Sequence, residues 1–121
     1  MAEVTLYDPS GEPVVYIDVD DDHTIYTWGG TPVAYLSDEH IYGFNGKHLG
    51  WFQDGIVWDH DGNRAGYLAQ TLPVYAAYEP YKSYKSYKPY RSYQEYAPYQ
   101  PYKLHSESRI PLLQFMSQGA S

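Results

Sequence analysis

Four glycines divide the first part of the chain into repeated units. When the sequence is aligned on these glycines, which are Gly11, Gly30, Gly46 and Gly62, they follow one another at intervals of 19, 16 and 16 residues. An aliphatic residue stands five positions before each glycine, and a large aromatic residue stands four positions before it. Three more columns, at three, five and six positions after the glycine, also agree in chemical type. Such self-similarity predicts that residues 4–72 form one architecture of repeated units.

Each unit has the composition of a β-hairpin. The segments on both sides of the glycine are short and rich in valine, isoleucine, tyrosine and tryptophan, which favours strands. Two of the connecting tetrapeptides begin with an aspartate, Asp8 or Asp59, and all four end with the glycine. This pattern predicts a type I turn that closes with a left-handed residue. By strand parity we expect the residues three and five positions after the glycine, such as Val14 and Tyr16, to share one face.

A single hairpin is marginally stable in water, so the four units must pack together. The residue between the two same-face positions is small in three of the four units, which indicates close approach of backbones near a common axis. These four positions hold Val15, Ala34, Gly50 and Gly66. We therefore predict an all-β fold for residues 1–72, with four tandem β-hairpins in a pseudo-four-fold rosette or propeller-like arrangement.

Three segments carry a resemblance to a known family. They read Ile-Tyr-x-x-x-Gly-x-Pro-Val-Ala-Tyr-Leu at 25–36, Ile-Tyr-Gly-Phe-Asn-Gly-Lys-His-Leu-Gly-Trp-Phe at 41–52 and Asp-His-Asp-Gly-Asn-Arg-Ala-Gly-Tyr-Leu at 59–68. Over about residues 4–70 the chain resembles the bacterial four-fold β-flower proteins, and the segment 41–52 is its most specific part. The resemblance implies a pseudo-four-fold arrangement of hairpins, and it implies no activity and no site residues. The first copy departs from the pattern by a longer linker that contains Asp20, Asp21 and Asp22.

A tyrosine occupies every third position from residue 75 to residue 102. A period of three fits neither the 3.6 residues per turn of an α-helix nor the two-residue alternation of a strand. Polyproline II has three residues per turn and places every tyrosine on one edge. Four prolines in this stretch favour that conformation and oppose a helix interior. They are Pro80, Pro89, Pro98 and Pro101. We predict an extended polyproline II-like tail over residues 73–103, followed by a short C-terminal segment, residues 104–121.

The sequence leaves open what the tail contacts. Tyrosine rings bury much area at contacts, so the tail is expected to lie on its own domain, on another copy or on a foreign protein. The other interpretation is a low-complexity linker that stays disordered. Residues 1–72 carry twelve acidic and two basic residues, and residues 73–121 carry three acidic and six basic ones. This asymmetry favours a tail that folds back. The apolar stretch at 110–116 is either a docked anchor or a frayed end.

Two acidic segments and five histidines are the candidates for a metal or catalytic site. The first segment holds Asp18, Asp20, Asp21, Asp22 and His23, and its carboxylates suit calcium, but a solvated linker is the favoured interpretation. The second, residues 59–63, begins like a calcium loop but lacks the later bidentate glutamate, and turn chemistry explains it. The histidines lack metal-ligand spacing, so we expect surface residues. They are His23, His40, His48, His60 and His105. We assign no catalytic, cofactor-binding or metal residue.

No catalytic motif of a known class is present in the sequence. We expect a non-enzymatic structural or protein-interaction protein, with the tyrosine-rich tail as the contact element. The alternative is a carbohydrate or small-ligand binding module that uses exposed aromatics of the hairpins. Trp28, in a turn, is then the better candidate, whereas Trp51 and Trp58 are expected to pack. The acidic hairpin domain disfavours nucleic acid. No stretch is long and apolar enough for a membrane span, and the lack of cysteine and of a signal peptide favours the cytoplasm.

Overall fold

Eight β-strands pair in sequence order and close into an antiparallel barrel in the computed structural model of the chain, which describes residues 3–119. The strands are β1 (Glu3–Tyr7), β2 (Pro13–Asp18), β3 (Thr24–Thr27), β4 (Pro32–Ser37), β5 (His40–Gly43), β6 (His48–Gln53), β7 (Ile56–Trp58) and β8 (Arg64–Tyr67). A short 3₁₀ turn (Ala69–Thr71) follows β8, and a helix α1 (Leu112–Ser117) lies near the C-terminus.

The four anchor glycines lie at the turns within the four hairpins, which join β1 to β2, β3 to β4, β5 to β6 and β7 to β8. Gly11, Gly30, Gly46 and Gly62 all have a positive φ, between 85° and 93°. In the first turn the N–H of Gly11 donates to the carbonyl oxygen of Asp8, and the Oδ1 atom of Asp8 accepts from the N–H groups of Ser10 and Glu12. The fourth turn repeats this pattern around Asp59. A glycine with a positive φ therefore closes each of these four turns, as the sequence predicted.

A β-bulge follows each glycine and changes which side chains share a face. In the first pair of strands Leu6 pairs with Val15 and Tyr7 pairs with Pro13, so Val14 has no partner. The same shift skips residues 33, 49 and 65 in the later strand pairs. A bulge residue interrupts the alternation of faces. Leu49 and Ala65 accordingly join the central core, whereas Trp51 and Tyr67 join a separate cluster. The expectation of a shared face is wrong for this reason.

The barrel interior is a single aliphatic core. Every strand contributes at least one buried residue to it, including the aliphatic column and two of the small positions after the glycines. Helix α1 completes this core with Leu112, Phe115 and Met116, each at most 1 % exposed. The absence of a side chain at Gly50 gives room to the helix, because a Cβ atom there would lie 2.8 Å from the ring of Phe115. The stretch at 110–116 is thus a docked anchor.

The prediction of an all-β fold is confirmed, but the barrel has no separate blades of the propeller kind. Strands on either side of each linker pair as well, for example β2 with β3 from Val15 and Thr27 to Asp18 and Thr24. The first and last strands meet through the pair Tyr7 and Tyr67, which closes the sheet. Closure leaves no exposed sheet edge. Among residues 3–119, helices of the length and apolar character needed to cross a bilayer are absent.

Candidate contact surface

Four aromatic pairs line the outside of the barrel. Each pair joins side chains that face one another across neighbouring strands, and every ring is at most 6 % exposed. The pairs are Tyr7 with Tyr67, Tyr16 with Tyr26, Tyr35 with Tyr42, and Trp51 with Trp58. Cations of the tail cover three of them. The Arg91 guanidinium lies 3.8 Å from the ring centre of Tyr35, and the Lys85 Nζ atom lies 5.3 Å from that of Tyr26. The tail, residues 73–103, therefore packs on the outside of the barrel.

The tail backbone is hydrogen-bonded to all four turns of the barrel. The N–H groups of Ala77, Ser86 and Glu95 donate to the carbonyl oxygens of Gly11, Gly30 and Gly46 over 2.8–2.9 Å. Leu104, which follows the tail, donates in the same way to Gly62 over 2.9 Å. The four donors are spaced by nine residues. Because the turns follow one another around a closed barrel, the tail runs around its circumference.

A nine-residue period in the tail therefore matches the repeat of the barrel. Its signature, Tyr-x-Pro-Tyr, occurs at 78–81, 87–90 and 96–99. Each proline of the signature follows one of the turn donors by three residues, and a residue without an N–H can stand there because the donor before it already makes the bond to the turn. Sequence reasoning identified the period of three and missed this longer one. The spacing of Pro80, Pro89 and Pro98 was the signal that would have revealed it.

The tail approaches the turn glycines so closely that a side chain there has no space. A Cβ atom built on Gly30 would lie 2.0 Å from the carbonyl oxygen of Tyr84, and one built on Gly46 would lie 2.0 Å from that of Tyr93. Tyr75 and Tyr102 stand in the same relation to the first and fourth glycines. Each anchor glycine thus meets two requirements, a positive φ and direct contact with the tail backbone.

A second edge of the tail is charged and faces the acidic barrel. Lys82 and Lys85 pair with Glu3, and Lys85 also pairs with Asp18. Further along, Lys88 lies 2.5 Å from Asp21 and 3.5 Å from Asp22, and Lys103 lies 3.0 Å from Asp54. These pairs join oppositely charged parts of the chain, as the charge asymmetry of the sequence favoured. The first acidic segment therefore binds tail lysines through Asp18, Asp21 and Asp22.

These ion pairs change the proton affinities of the groups involved. The hydrogen bond from Lys82 lowers the pKa of Glu3, and the hydrogen bond from Lys88 lowers the pKa of Asp21. The bond between Lys85 and Asp18 raises the pKa of Lys85. All three shifts favour the charged forms, so the contacts between tail and barrel persist across the neutral range.

The third edge of the tail consists of tyrosines and points away from the barrel. The ten tyrosines from Tyr75 to Tyr102 are each between 92 % and 101 % exposed. We call this row of side chains the tyrosine edge. The three-residue spacing keeps these rings on positions that carry neither the backbone hydrogen bonds to the turns nor the lysines. The tail therefore uses its other residues to bind the barrel and leaves its phenol rings in solvent.

Three histidines form a chain beneath the tail. His40 Nδ1 lies 3.0 Å from His48 Nε2, and His48 Nδ1 lies 2.9 Å from His60 Nε2. The expectation of surface histidines is wrong for His48, which is fully buried, and burial lowers its pKa to about 4. Its backbone N–H donates to the carboxylate of Glu95 over 2.7 Å. Neutral imidazoles carry one donor and one acceptor nitrogen, so the chain holds two hydrogen bonds without any charge.

The part of the chain that the structure describes contains no set of side chains arranged as metal ligands. Across residues 3–119, groups of three or more histidine, aspartate or glutamate side chains placed to hold a metal ion are absent. In the second acidic segment the Oδ1 atom of Asp59 accepts from the N–H groups of Asp61 and Asn63, which is the turn chemistry expected of it.

The tryptophans of the barrel are packed within the fold. Trp51 and Trp58 are 2 % and 3 % exposed, as expected for residues in the repeat columns. Trp28 is half-buried, and its Nε1–H donates to the carbonyl oxygen of Pro13 over 3.1 Å. Tyr16 and the Lys82 ammonium lie against the Trp28 ring. Among residues 3–119, the fully exposed aromatic rings are consequently those of the tyrosine edge.

Comparison with known proteins gives one match. No curated protein and no solved structure is significantly similar to this chain. A family model described as 4-fold beta flower protein matches residues 4–116. This range is longer than the resemblance found in the sequence, which ended near residue 70, and it includes the tail and most of helix α1. The chain therefore belongs to the 4-fold beta flower protein family.

Proposed function

We propose that this chain is a non-enzymatic interaction protein in which four equivalent hairpins hold a polyproline II-like tail as a ring, and that the tyrosine edge is the contact element. One observation carries the proposal, namely ten tyrosines that are 92–101 % exposed on a backbone that is itself bound to the barrel. Large aromatic side chains in such number on a surface are typical of interaction sites.

The attachment of the tail favours binding. Binding by a free, disordered segment costs conformational entropy, because the segment must be ordered when the partner arrives. Here the backbone hydrogen bonds to the four turns and the ion pairs order the tail beforehand. Tyrosine adds large contact area with only two side-chain torsions to fix. The barrel is in this view a scaffold that orients the phenol rings.

A carbohydrate or small-ligand module that uses aromatics of the hairpins is less well supported. Trp51 and Trp58 are buried, and Trp28 is half-buried with Tyr16 and the Lys82 ammonium against its ring. A ligand that stacks on rings would have to displace the tail to reach them. Free ring faces belong to the tyrosine edge, so that surface is the one to test.

The test removes part of the tyrosine edge without disturbing the fold. Tyr84, Tyr87, Tyr90 and Tyr93 are fully exposed, so changing all four to serine leaves the packing intact. The matched control changes the same four residues to phenylalanine. Immobilised wild-type protein and both variants are incubated with an extract of the cells that produce the chain, and captured proteins and glycans are quantified by mass spectrometry. Self-association is followed by sedimentation velocity.

We expect wild type and the phenylalanine variant to capture the same partner, or to self-associate alike, and the serine variant to lose about 90 % or more of that interaction. Equal melting temperatures of the three proteins establish that only the surface has changed. An interaction that the serine variant retains in full would overturn the proposal.

A further inference from the structure

The tyrosine edge is uncharged because every charged side chain of the tail is bound to the barrel. Seven charged residues occur in residues 73–103, and each contacts a barrel atom. They are Glu79 with Thr5, Lys82 with Glu3, Lys85 with Asp18, Lys88 with Asp21, Arg91 with the carbonyl of Asp22, Glu95 with the N–H of His48, and Lys103 with Asp54. What the tail presents outward is a row of neutral phenols.

This row is regular as well as neutral. Successive tyrosines are three residues apart, which is about 9 Å along a backbone of polyproline II geometry. Each ring offers two π-faces and a hydroxyl group that both donates and accepts a hydrogen bond. A partner that uses many of these rings at once must itself be a repeating structure, with apolar C–H faces and hydroxyl groups side by side.

The net charge of the chain distinguishes between the possible classes of repeating partner. The chain has a formal net charge of −7, and the cations of the tail are already bound by the barrel, the four lysines by carboxylates and Arg91 by a carbonyl oxygen. Nucleic acids and anionic polysaccharides would be repelled by this field and would find no free row of cations. A second copy of the chain carries the same charge and is repelled likewise. Neutral polymers pay no such penalty.

We propose that the tyrosine edge binds a neutral polysaccharide, with sugar rings stacked on the phenol faces and sugar hydroxyls bonded to the phenol hydroxyls. The inference rests on the proposed function and names its partner class. Each ring contributes weakly, and affinity comes from the simultaneous use of several tyrosines on one ordered backbone. A flexible neutral chain can follow the tail around the barrel. Salt should hardly affect the complex, because no ion pair forms in it.

The experiment is affinity electrophoresis of the full chain in native gels that contain one soluble polysaccharide. The neutral probes are laminarin, yeast mannan and dextran, and the anionic controls are alginate and heparin. Wild type is compared with the serine and phenylalanine variants of Tyr84, Tyr87, Tyr90 and Tyr93, all fully exposed. We expect at least one neutral probe to retard wild type, with about tenfold weaker binding by the serine variant and a smaller loss in the phenylalanine variant, which keeps the ring faces but lacks the hydroxyls.

Three results would overturn the inference, and they differ in what they mean for the proposed function. If no neutral probe retards the wild type, the partner class is wrong, whereas tyrosine-dependent capture of a protein or self-association still supports a contact role. If a neutral probe retards wild type and the serine variant equally, the sugar binds elsewhere, and the tyrosine edge is not its site. Preferential retardation by heparin or alginate would contradict the argument from charge.

Discussion

The N–H of Ser86 donates a hydrogen bond to the carbonyl oxygen of Gly30 over 2.8 Å, at the turn between β3 and β4. The carbonyl oxygen of Tyr84 approaches the same glycine from the tail side. The turn of the barrel and the backbone of the tail therefore contact each other directly at Gly30. A change at the glycine should affect both parts of the chain.

Gly30→Ala should therefore lower the free energy of unfolding and release the tail from the turn. Its φ of 90° costs an alanine about 1–2 kcal/mol, and the new Cβ would lie 2.0 Å from the Tyr84 oxygen. The matched control is Gly29→Ala, because a Cβ there meets nothing closer than 3.8 Å. Urea unfolding measures the free energy, and the rate of chymotrypsin cleavage after the tail tyrosines reports release. Equal cleavage rates in both variants would contradict a shared contact.

Lys85→Gln should loosen the tail in a salt-dependent manner. The ammonium group pairs with Asp18 and lies 3.1 Å from Glu3, so its removal should lower the free energy of unfolding by about 1 kcal/mol at low salt. Lys47→Gln removes the same charge from an exposed turn position and serves as control. The difference between the variants should shrink in high sodium chloride. A difference that salt leaves unchanged would mean that packing, not charge, is lost.

His48 should make the chain less stable in mild acid. Its folded pKa of about 4 lies below the ordinary 6.5, because burial disfavours the imidazolium form and His40 and His60 disfavour it further. Between pH 6.5 and pH 4 the unfolded chain therefore binds more protons than the folded chain. The contribution of His48 to the free energy of unfolding is complete above pH 6.5 and is lost as the pH falls to about 4. The loss is on the order of 3 kcal/mol.

Replacing this histidine should flatten the curve of unfolding free energy against pH. Glu95 also faces the site and acts in the opposite direction, but as the smallest contribution. His48→Asn is compared with His23→Asn, which changes an exposed residue with a φ of 56° that asparagine tolerates. If the free energy of unfolding depends on pH with the same slope in wild type and His48→Asn, the buried histidine does not cause the loss of stability in acid.

The stacked pair Tyr16 and Tyr26 should respond in opposite directions to loss of the hydroxyl group. Tyr26 Oη donates to Asp21 over 2.6 Å, whereas Tyr16 Oη is buried without a hydrogen-bond partner among the described residues. Tyr16→Phe should therefore stabilise the protein by about 1 kcal/mol, and Tyr26→Phe should destabilise it by about 1–2 kcal/mol. Thermal unfolding of the two variants gives the sign directly. Destabilisation by Tyr16→Phe would indicate a bound water at that hydroxyl.

Phe115→Ala should show that helix α1 belongs to the barrel core. The ring is 1 % exposed and lies among the aliphatic side chains of the strands, so its loss should cost about 3–5 kcal/mol. Leu113→Ala, at a position that is 48 % exposed on the same helix, should change stability little. Urea unfolding of both variants measures the difference. A small effect at Phe115 would mean that the barrel is stable without the helix.

The sequence predicted the repeat, the turns and the all-β class because these depend on local chemistry. Glycines with positive φ and β-rich segments leave a clear pattern in each unit. Pairing between units, as in β2 with β3, makes a continuous barrel of the predicted rosette, and no local signal encodes that pairing. The bulge at Val14 was missed because one unpaired residue changes face without changing composition.

Which edge of the tail binds the barrel was also beyond sequence reasoning. A period of three defines three groups of positions, and tyrosine has the largest apolar surface of the residues that occupy them. Ordinary burial arguments would turn the tyrosines inward. The barrel, however, already has its own aromatic pairs on the outside and carboxylates such as Asp18 and Asp21 beside them, and these select the lysine edge. The choice depends on the surface beneath the tail.

Nine tail residues correspond to one hairpin of the barrel. The length of the tail and the number of hairpins therefore depend on each other, and one gene encodes both. From Ala77 to Leu104 the tail advances one nonapeptide for each hairpin it passes. A duplication that added a fifth hairpin of 16 residues would widen the barrel and leave one turn uncovered, unless a further nonapeptide arose at the same time. Lengthening the tail alone would shift every later proline and lysine out of phase with its partner. Addition of a hairpin to this architecture therefore requires addition of a nonapeptide to the tail. The number of nonapeptides in a related sequence can then be used to count its hairpins.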